Sequence, residues 1–386
     1  MIRQVAYRCE VQRNNTQKDK YYPTIVQGTT NEQYTFQVPT CDLEIVTNTS
    51  GGTSGYMSPI RTDDIIRVQV STKMNPLERT VWEDLFSGTI QEIEGTYGNK
   101  NTTSLHCVGH MDEAEWTDIE ETKAWTSSVD AQAVFQYFID TKSYKRRLTY
   151  NAGYVNTGVT FTNYSVTLNQ NTISDVITDM EKYSGKTYRA SAVPTYDASG
   201  NLSTVYFSWK PLDTVVTDKY KVIEGTSRYI NSTFSSSIED LVTRLTVIGS
   251  TANSYKATAS NATAITNYGK RSKTDTYSWI TSTEGCTSIA TNVLAAIDDP
   301  EIVGEATIIG TPSARPGDLV YCKSPSQEVN GATIDNNMTV YRVSHNFGSK
   351  FTTSLSLGNI KKDAYDYIGQ FSKEIKTCKK NIVKCT

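Results

Sequence analysis

Apolar and polar residues alternate with period two over much of this chain, and that rhythm predicts a protein built mainly of β-strands. Tyr34-Thr35-Phe36-Gln37-Val38 and Ile66-Arg67-Val68-Gln69-Val70 alternate in this way, as do residues 85–94 and 103–109. Residues 95–100 supply turn chemistry between the last two. Gly51-Gly52-Thr53-Ser54-Gly55 reads as a flexible loop. Several short strands with polar turns predict a barrel or sandwich over residues 1–116, with an N-terminal arm.

The period then changes. Ser128-Val129-Asp130-Ala131 has the residues of a helix cap, and Val129, Ala131, Val134, Phe135, Phe138 and Ile139 recur at helical spacing. A second helix is expected over 172–183, with Ile173, Val176, Ile177 and Met180 as its apolar stripe and Gly185 as its stop. Thr187-Tyr188-Arg189-Ala190 and residues 203–209 flank a turn at Asp197-Ala198-Ser199-Gly200-Asn201, which predicts a hairpin. Residues 117–212 therefore form an inserted α+β domain.

From residue 213 to 360 the sheet rhythm returns and predicts a second β-barrel domain. Strands are expected over 241–249, 305–310, 318–322, 338–343 and 352–357, with a helix over 288–297. The end, 361–386, has the pattern of a basic helical tail. The two β regions echo each other. Asp63-Asp64-Ile65-Ile66-Arg67-Val68 and Gly317-Asp318-Leu319-Val320-Tyr321 each lead into a strand, and each is followed by a strand pair. The fold class expected is thus mainly β with an α+β insertion: two related barrels separated by a small α/β module.

Composition agrees with a folded chain. Hydrophobic residues make up 37% and charged residues 20%, with Thr, Ser, Asn and 24 Tyr filling part of the difference. A net charge of −3 with 10% aromatics is not the signature of disorder, nor does it supply the basic surplus of a dedicated nucleic-acid binder. Lys145-Arg146-Arg147 is read as a solvated helix end. No secretory signal follows Met1-Ile2-Arg3-Gln4 and no run of about 20 apolar residues occurs, so a chain made in a cytosol with no membrane-spanning segment is expected. Seven widely spaced cysteines, without a CxxC pair, are expected to serve as buried small hydrophobes. Cys378 and Cys385 could crosslink or bind metal, although their spacing matches no known site.

A search for chemistry yields no complete site. His106 and His110 stand four apart on a strand and the turn after it, where their rings do not converge as they would on a helix; Glu113 and Glu115 complete no ligand set. Ser87-Gly88 lacks the flanks of a nucleophile elbow, and Gly51-Gly52 lacks those of a phosphate loop. Glu120-Glu121, Asp63-Asp64 and Asp298-Asp299 read as solvated turns rather than catalytic pairs. Tyr21-Tyr22, Trp116, Trp125, Trp209 and Trp279 suit interfaces and also ordinary cores. The expectation is no enzyme, with no catalytic, cofactor-binding or metal residues.

The most informative segment is Gly310-Thr311-Pro312-Ser313-Ala314-Arg315-Pro316-Gly317-Asp318-Leu319-Val320, followed by Tyr341-Arg342-Val343-Ser344-His345-Asn346-Phe347 and a final strand over 351–358. This order resembles the closing barrel of the late-control or baseplate-hub proteins of tailed bacteriophages, with relatives in contractile injection and type VI secretion machines. Arg244-Leu245-Thr246-Val247-Ile248-Gly249 is similar to the strand that opens that barrel, and residues 82–93 with 104–109 are similar to a strand pair of the first barrel. The likeness spans roughly 30–360. It implies a homotrimer whose six barrels adapt a sixfold tail tube to a threefold spike or tip. It implies contacts with the tail tube protein, the central spike or tip protein, other baseplate proteins and the tape-measure protein. Genome DNA would pass through the lumen without specific binding, and the protein would reside in the virion tail baseplate after assembly in the host cytoplasm. The readings weighed against it are a tail-associated hydrolase and a receptor- or glycan-binding tail protein.

Overall fold

Alternating sequence buries one face of each strand, and this chain gathers most such faces into one sheet. The computed structural model describes residues 5–358 except 14–19, 35, 47–59, 72–80, 97–101, 142–146, 159, 167–171, 185–186, 239–240, 251–254, 278–279, 281, 296, 299–300 and 330–331. The Gly51–Gly55 loop, most of the 95–100 turn, Lys145, Arg146, Gly185, Trp279, Cys378, Cys385 and the 361–386 tail lie outside the described residues. Among those described, no helix is long and apolar enough to cross a membrane.

The first β group comprises β1 (Ala6–Gln12), β2 (Lys20–Tyr21), β3 (Ile25–Gln33), β4 (Thr40–Val46), β5 (Ile65–Ser71), β6 (Glu83–Thr96) and β7 (Thr102–Gly109). Next come α1 (Asp112–Trp116), β8 (Lys123–Asp130), α2 (Ala131–Gln136), β9 (Leu148–Thr149), β10 (Thr160–Val166), α3 (Ile173–Tyr183), β11 (Tyr188–Tyr196) and β12 (Leu202–Pro211). After β13 (Val222–Ile223) and β14 (Tyr229–Ser237), a small unit holds β15 (Arg244–Ile248), β16 (Lys256–Ser260), α4 (Ala262–Tyr268), β17 (Ser272–Thr276) and α5 (Thr283–Ala295). The chain closes with β18 (Glu301–Ile309), β19 (Leu319–Val329), β20 (Ala332–Phe347) and β21 (Thr352–Gly358).

The protein is thus mainly β. Thirteen of the described strands form one open sheet, whose main path runs β14-β18-β21-β20-β3-β4-β7-β6-β5-β1-β2, with β19 and β13 branching from β20. Among the described residues no sheet closes on itself through a backbone ladder. Between β14 and β19 a side chain does that work: Gln327 Oε1 accepts from the Phe234 N–H at 3.0 Å, and its Nε2 donates to the Ser232 carbonyl at 2.8 Å.

Within this sheet the two β groups repeat one plan. The first runs β1-β5-β6-β7-β4-β3 and the second β13-β19-β20-β21-β18-β14. Every corresponding pair is antiparallel except the outermost, where β1 meets β5 antiparallel and β13 meets β19 in parallel. The repeat extends to single hydrogen bonds. Asp64 Oδ2 accepts from the Arg61 N–H at 2.8 Å, and Asp318 Oδ2 from the Arg315 N–H at 2.9 Å. The Asp64 carbonyl accepts from Ile90, and the Asp318 carbonyl from Val340. The preceding residues, Asp63 and Gly317, both sit at positive φ (71° and 90°), a geometry that Asp tolerates and Gly adopts freely. A bulge follows at Ile90/Glu92 in one group and at Val340/Arg342 in the other.

Three hydrophobic clusters fill the molecule. One lies inside the first β group around Val11, Leu43, Ile66, Ile90 and Leu105; another lies inside the second around Val320, Val340, Val343 and Leu355. The third joins the α+β elements, including Phe135, Ile177, Phe207 and Trp209, to Leu245, Val247, Cys286 and Ile289. The strand similar to a barrel-opening one, Arg244–Ile248, therefore pairs with β16 and β17 in a separate sheet and packs on the α+β body rather than on the second β group.

Most local expectations match the structure. Asp130 caps α2 through Ala133, the α3 stripe is buried, and Asp197 closes the β11–β12 turn by accepting from Ser199 and Asn201. Two differ. The described part of 34–38 is bent, irregular chain rather than a strand. Pro39 offers no N–H to a ladder, while Tyr34 and Phe36 use their apolar faces as anchors, Phe36 against the α+β core. The second difference is α5, which starts at Thr283 because Ser282 Oγ accepts from the Gly285 N–H at 3.0 Å. Cys9, Cys41, Cys107, Cys286 and Cys322 are buried and unpaired, as expected of small hydrophobes.

The β6–β7 ladder needs a glycine at one point. A Cβ on Gly88 would stand 2.0 Å from the Val108 carbonyl oxygen. Gly88→Ala is expected to cost about 2–4 kcal/mol, read as a lowered urea midpoint; a cost within 0.5 kcal/mol would contradict this packing.

Candidate functional site

The joined sheet presents one continuous polar face. Strand alternation puts Thr29, Asp42, Glu44, Glu92, Glu94, Ser104 and His106 on it in the first group, and Glu305, Thr307, Arg342, Ser344, Ser354 and Ser356 in the second. The residues between them point into the cores: Leu43, Leu105, Val343 and Leu355 are all buried. The seam between the groups is the β20–β3 ladder, which runs from Arg342 opposite Gln33 to Phe347 opposite Gly28. Thr29 Oγ1 donates to Asn346 Oδ1 across it at 2.8 Å. A groove of about 780 Å³ runs along this face over the first group and reaches Asn346 and Lys350 beyond the seam.

The face is hydrophilic and mostly acidic. His106 Nδ1 lies 2.7 Å from Asp42 Oδ1, and Gln27 Nε2 donates to Glu44 at 2.8 Å. Glu92, Glu94 and Glu305 stand exposed. Carboxylates gathered in this way repel polyanions.

His106 and His110, the pair with metal-like spacing, diverge. His106 stays on the polar face, whereas His110 lies past the end of β7 and is buried beneath β11. Tyr196 O–H donates to Ser87 Oγ at 2.8 Å, and Ser87 Oγ lies 3.0 Å from His110 Nε2. Burial pushes the Tyr196 phenol up to about 12, so it remains a donor, and burial with the nearby Arg147 charge pushes His110 down to about 4. A neutral His110 shares this hydrogen bond with Ser87. This chain fastens β11 to the first β group, with Arg67 stacked 3.6 Å over the Tyr196 ring and held by Asp84 at 2.7 Å.

The remaining sequence candidates serve the framework. Asp63 accepts from Arg147 at 2.7 Å, Asp64 holds its turn, and Asp298 accepts from Asn261. Glu113 receives the backbone N–H groups of Arg147 and Leu148. No group of three or more potential metal ligands occurs among the described residues. Trp209 and Trp125 pack in the third core, while Trp116 is 62% exposed. Sequence reasoning missed the seam itself. Its only local signal is the length of the alternating run before Phe347, longer than one partner strand requires.

No curated protein matches the sequence. Solved structures do match its fold. The 43 kDa tail protein of prophage MuSo2 from Shewanella oneidensis superposes with a TM-score of 0.62 at 12% identity, covering 92% of this chain and 98% of that one. The tail protein from Neisseria meningitidis MC58 gives 0.58 at 10% identity, over 92% and 96%. Prophage tail protein gp18 from Listeria monocytogenes EGD-e gives 0.57 at 11% identity, over 96% and 99%. The resemblance to phage tail proteins read from the sequence is therefore shared by the three-dimensional fold. Residues 84–358, well over half of the chain and including both Asp turn-to-strand repeats' partner strands, match one family description. On that match the chain belongs to the YQBQ-like family.

Proposed function

We propose that this protein is a structural subunit of a phage tail baseplate hub. Three copies form a ring in which the two β groups of each chain act as tube-type barrels, so that six similar units meet a sixfold tail tube on one side and a threefold spike or tip on the other. The observation that carries this reading is the internal duplication: two strand groups with one order, one Asp turn and one bulge, joined edge to edge by β20 and β3. A threefold assembly offers six equivalent binding units most simply when each chain holds two. The tail proteins with this fold support the setting.

In this reading the acidic polar face lines the lumen, where carboxylates keep DNA moving without specific binding. The α+β body, drawn from residues 112–212 and 241–297, lies outside the ring and meets other baseplate proteins. The role is structural rather than catalytic, and the protein acts in the virion tail after assembly in the host cytoplasm.

Size-exclusion chromatography with light scattering tests this directly. A trimer in the micromolar range is expected, with threefold rings in negative-stain images. A chain that stays monomeric up to about 100 μM, or that maps away from the tail axis in particles, overturns the reading.

A further inference from the structure

The seam inside the chain is a template for a joint between chains. β20 pairs with β19 up to Thr339, bends at its bulge, and offers residues 342–347 to β3. β6 is its counterpart. It pairs with β5 up to Thr89, bends at the matching bulge, and continues through 92–96 with β7 on one side only. Among the described residues no strand lies against its other edge. β14 is the counterpart of β3, and it ends the sheet with β18 on one side only.

We infer that residues 92–96 of one copy pair antiparallel with the outer edge of β14 in the next copy, in the register that the β20–β3 ladder dictates. The inference rests on the hub reading and names the joint that would close the ring. The register follows from the two matching ladders. Arg342 corresponds to Glu92 through their partners Ser356 and His106, and Gly28 corresponds to Ser232 through Leu43 and Ala306. The pairing of Ser344 with Asn31 and of His345 with Thr30 then becomes Glu94 with Ser235 and Gly95 with Phe234.

Three features agree with this. Ladder alternation turns the backbone groups of Ile93 and Gly95 away from β7, and those of Ser232 and Phe234 away from β18. Gln327 occupies the Phe234 N–H and the Ser232 carbonyl in the single chain, and so blunts an edge that would otherwise recruit strands at random; docking transfers those groups from Gln327 to the incoming backbone. The opposing side chains are complementary as well. Exposed Glu94 meets the exposed hydroxyl of Ser235, a donor facing an acceptor with no like charge opposite.

Cysteine crosslinking decides the register. Glu94 and Ser235 form a non-hydrogen-bonded pair in the proposed ladder, where Cα atoms about 4.5 Å apart accept a disulfide. The full-length double variant Glu94→Cys/Ser235→Cys, with Cys378→Ser and Cys385→Ser, is expected to give a covalent trimer on non-reducing gels after mild oxidation. The control Glu94→Cys/Thr233→Cys, displaced by two residues, is expected to give at least tenfold less. Light scattering on both variants before oxidation checks that they fold and associate. Trimers that fail to crosslink, or that crosslink equally in the displaced register, overturn this joint and leave the hub reading standing. A monomer for both variants and the parent chain overturns both.

Discussion

Trp209→Ala is expected to lower the free energy of unfolding by about 3–5 kcal/mol, the range for removing a large buried aromatic side chain. The Trp209 side chain is fully buried. Its ring stacks on Tyr188 at 5.5 Å and 14°, and it leans on Phe135 at 5.2 Å. Among the described residues the indole Nε1 finds no hydrogen-bond partner, so the loss is one of packing. That separates the two obvious variants: Trp209→Phe keeps most of the contacts, sheds an unsatisfied donor, and is expected to cost less than about 1.5 kcal/mol. The cluster around Trp209 also holds Leu245 and Ile289 from a distant part of the chain, so one urea transition, followed by circular dichroism, should report both. A loss under 1 kcal/mol for the alanine variant would contradict the packing.

Acidification is expected to weaken the fold steeply between pH 7.5 and 5. Two buried histidines sit at seams: His345 in the β20–β3 ladder and His110 beneath β11. Burial first, and the Arg315 charge second, push His345 down to about 3; burial first, and Arg147 second, push His110 down to about 4. Hydrogen bonding agrees for His345, because Thr353 Oγ1 accepts from the Thr311 N–H at 2.8 Å and has its own proton to offer His345 Nδ1 at 3.0 Å. Both values lie below the roughly 6.5 of an unfolded histidine. The unfolded chain therefore takes up protons first as pH falls. The stabilisation is complete above about pH 6.5 and drains away as pH drops toward 4 and 3. By pH 5 each histidine should have lost about 2 kcal/mol, roughly 4 together. Urea unfolding at pH 7.5 and 5.0 checks this. A His110→Gln/His345→Gln variant should be less stable at pH 7.5 yet lose far less on acidification. An unchanged difference between the two pH values would assign the acid sensitivity elsewhere.

How far the sequence announces this fold depends on distance along the chain. β7 and the last four strands each have one wet and one dry face, so a period of two locates them; β5 alternates in sequence, although Gln69 and Ser71 are buried with its apolar residues. α3 is equally plain because Ile173, Val176, Ile177 and Met180 share one buried stripe. Residues 34–38 carry the same alternation, yet those of them that are described form no strand, since Pro39 interrupts the ladder and Tyr34 and Phe36 serve as anchors. The duplication is legible because Asp64 and Asp318 do the same backbone chemistry in the same place. The seam is not. Val343 and Glu32 lie opposite each other across it, and nothing local in either segment specifies a partner some 300 residues away. The allegiance of β15 fails to show for the same reason, because Leu245 and Val247 are apolar enough for either core.

The β20–β3 ladder has a consequence for anything built from this chain. It fixes the angle between the two β groups as soon as the polypeptide folds, with six residue pairs and no intervening hinge. Curvature is thus written into the single molecule before it meets a neighbour. In the proposed ring, docking would then have no interdomain swivel to immobilise, and that entropic cost of association would be absent. A kink introduced into these six pairs should accordingly alter the radius of an assembly as well as its strength.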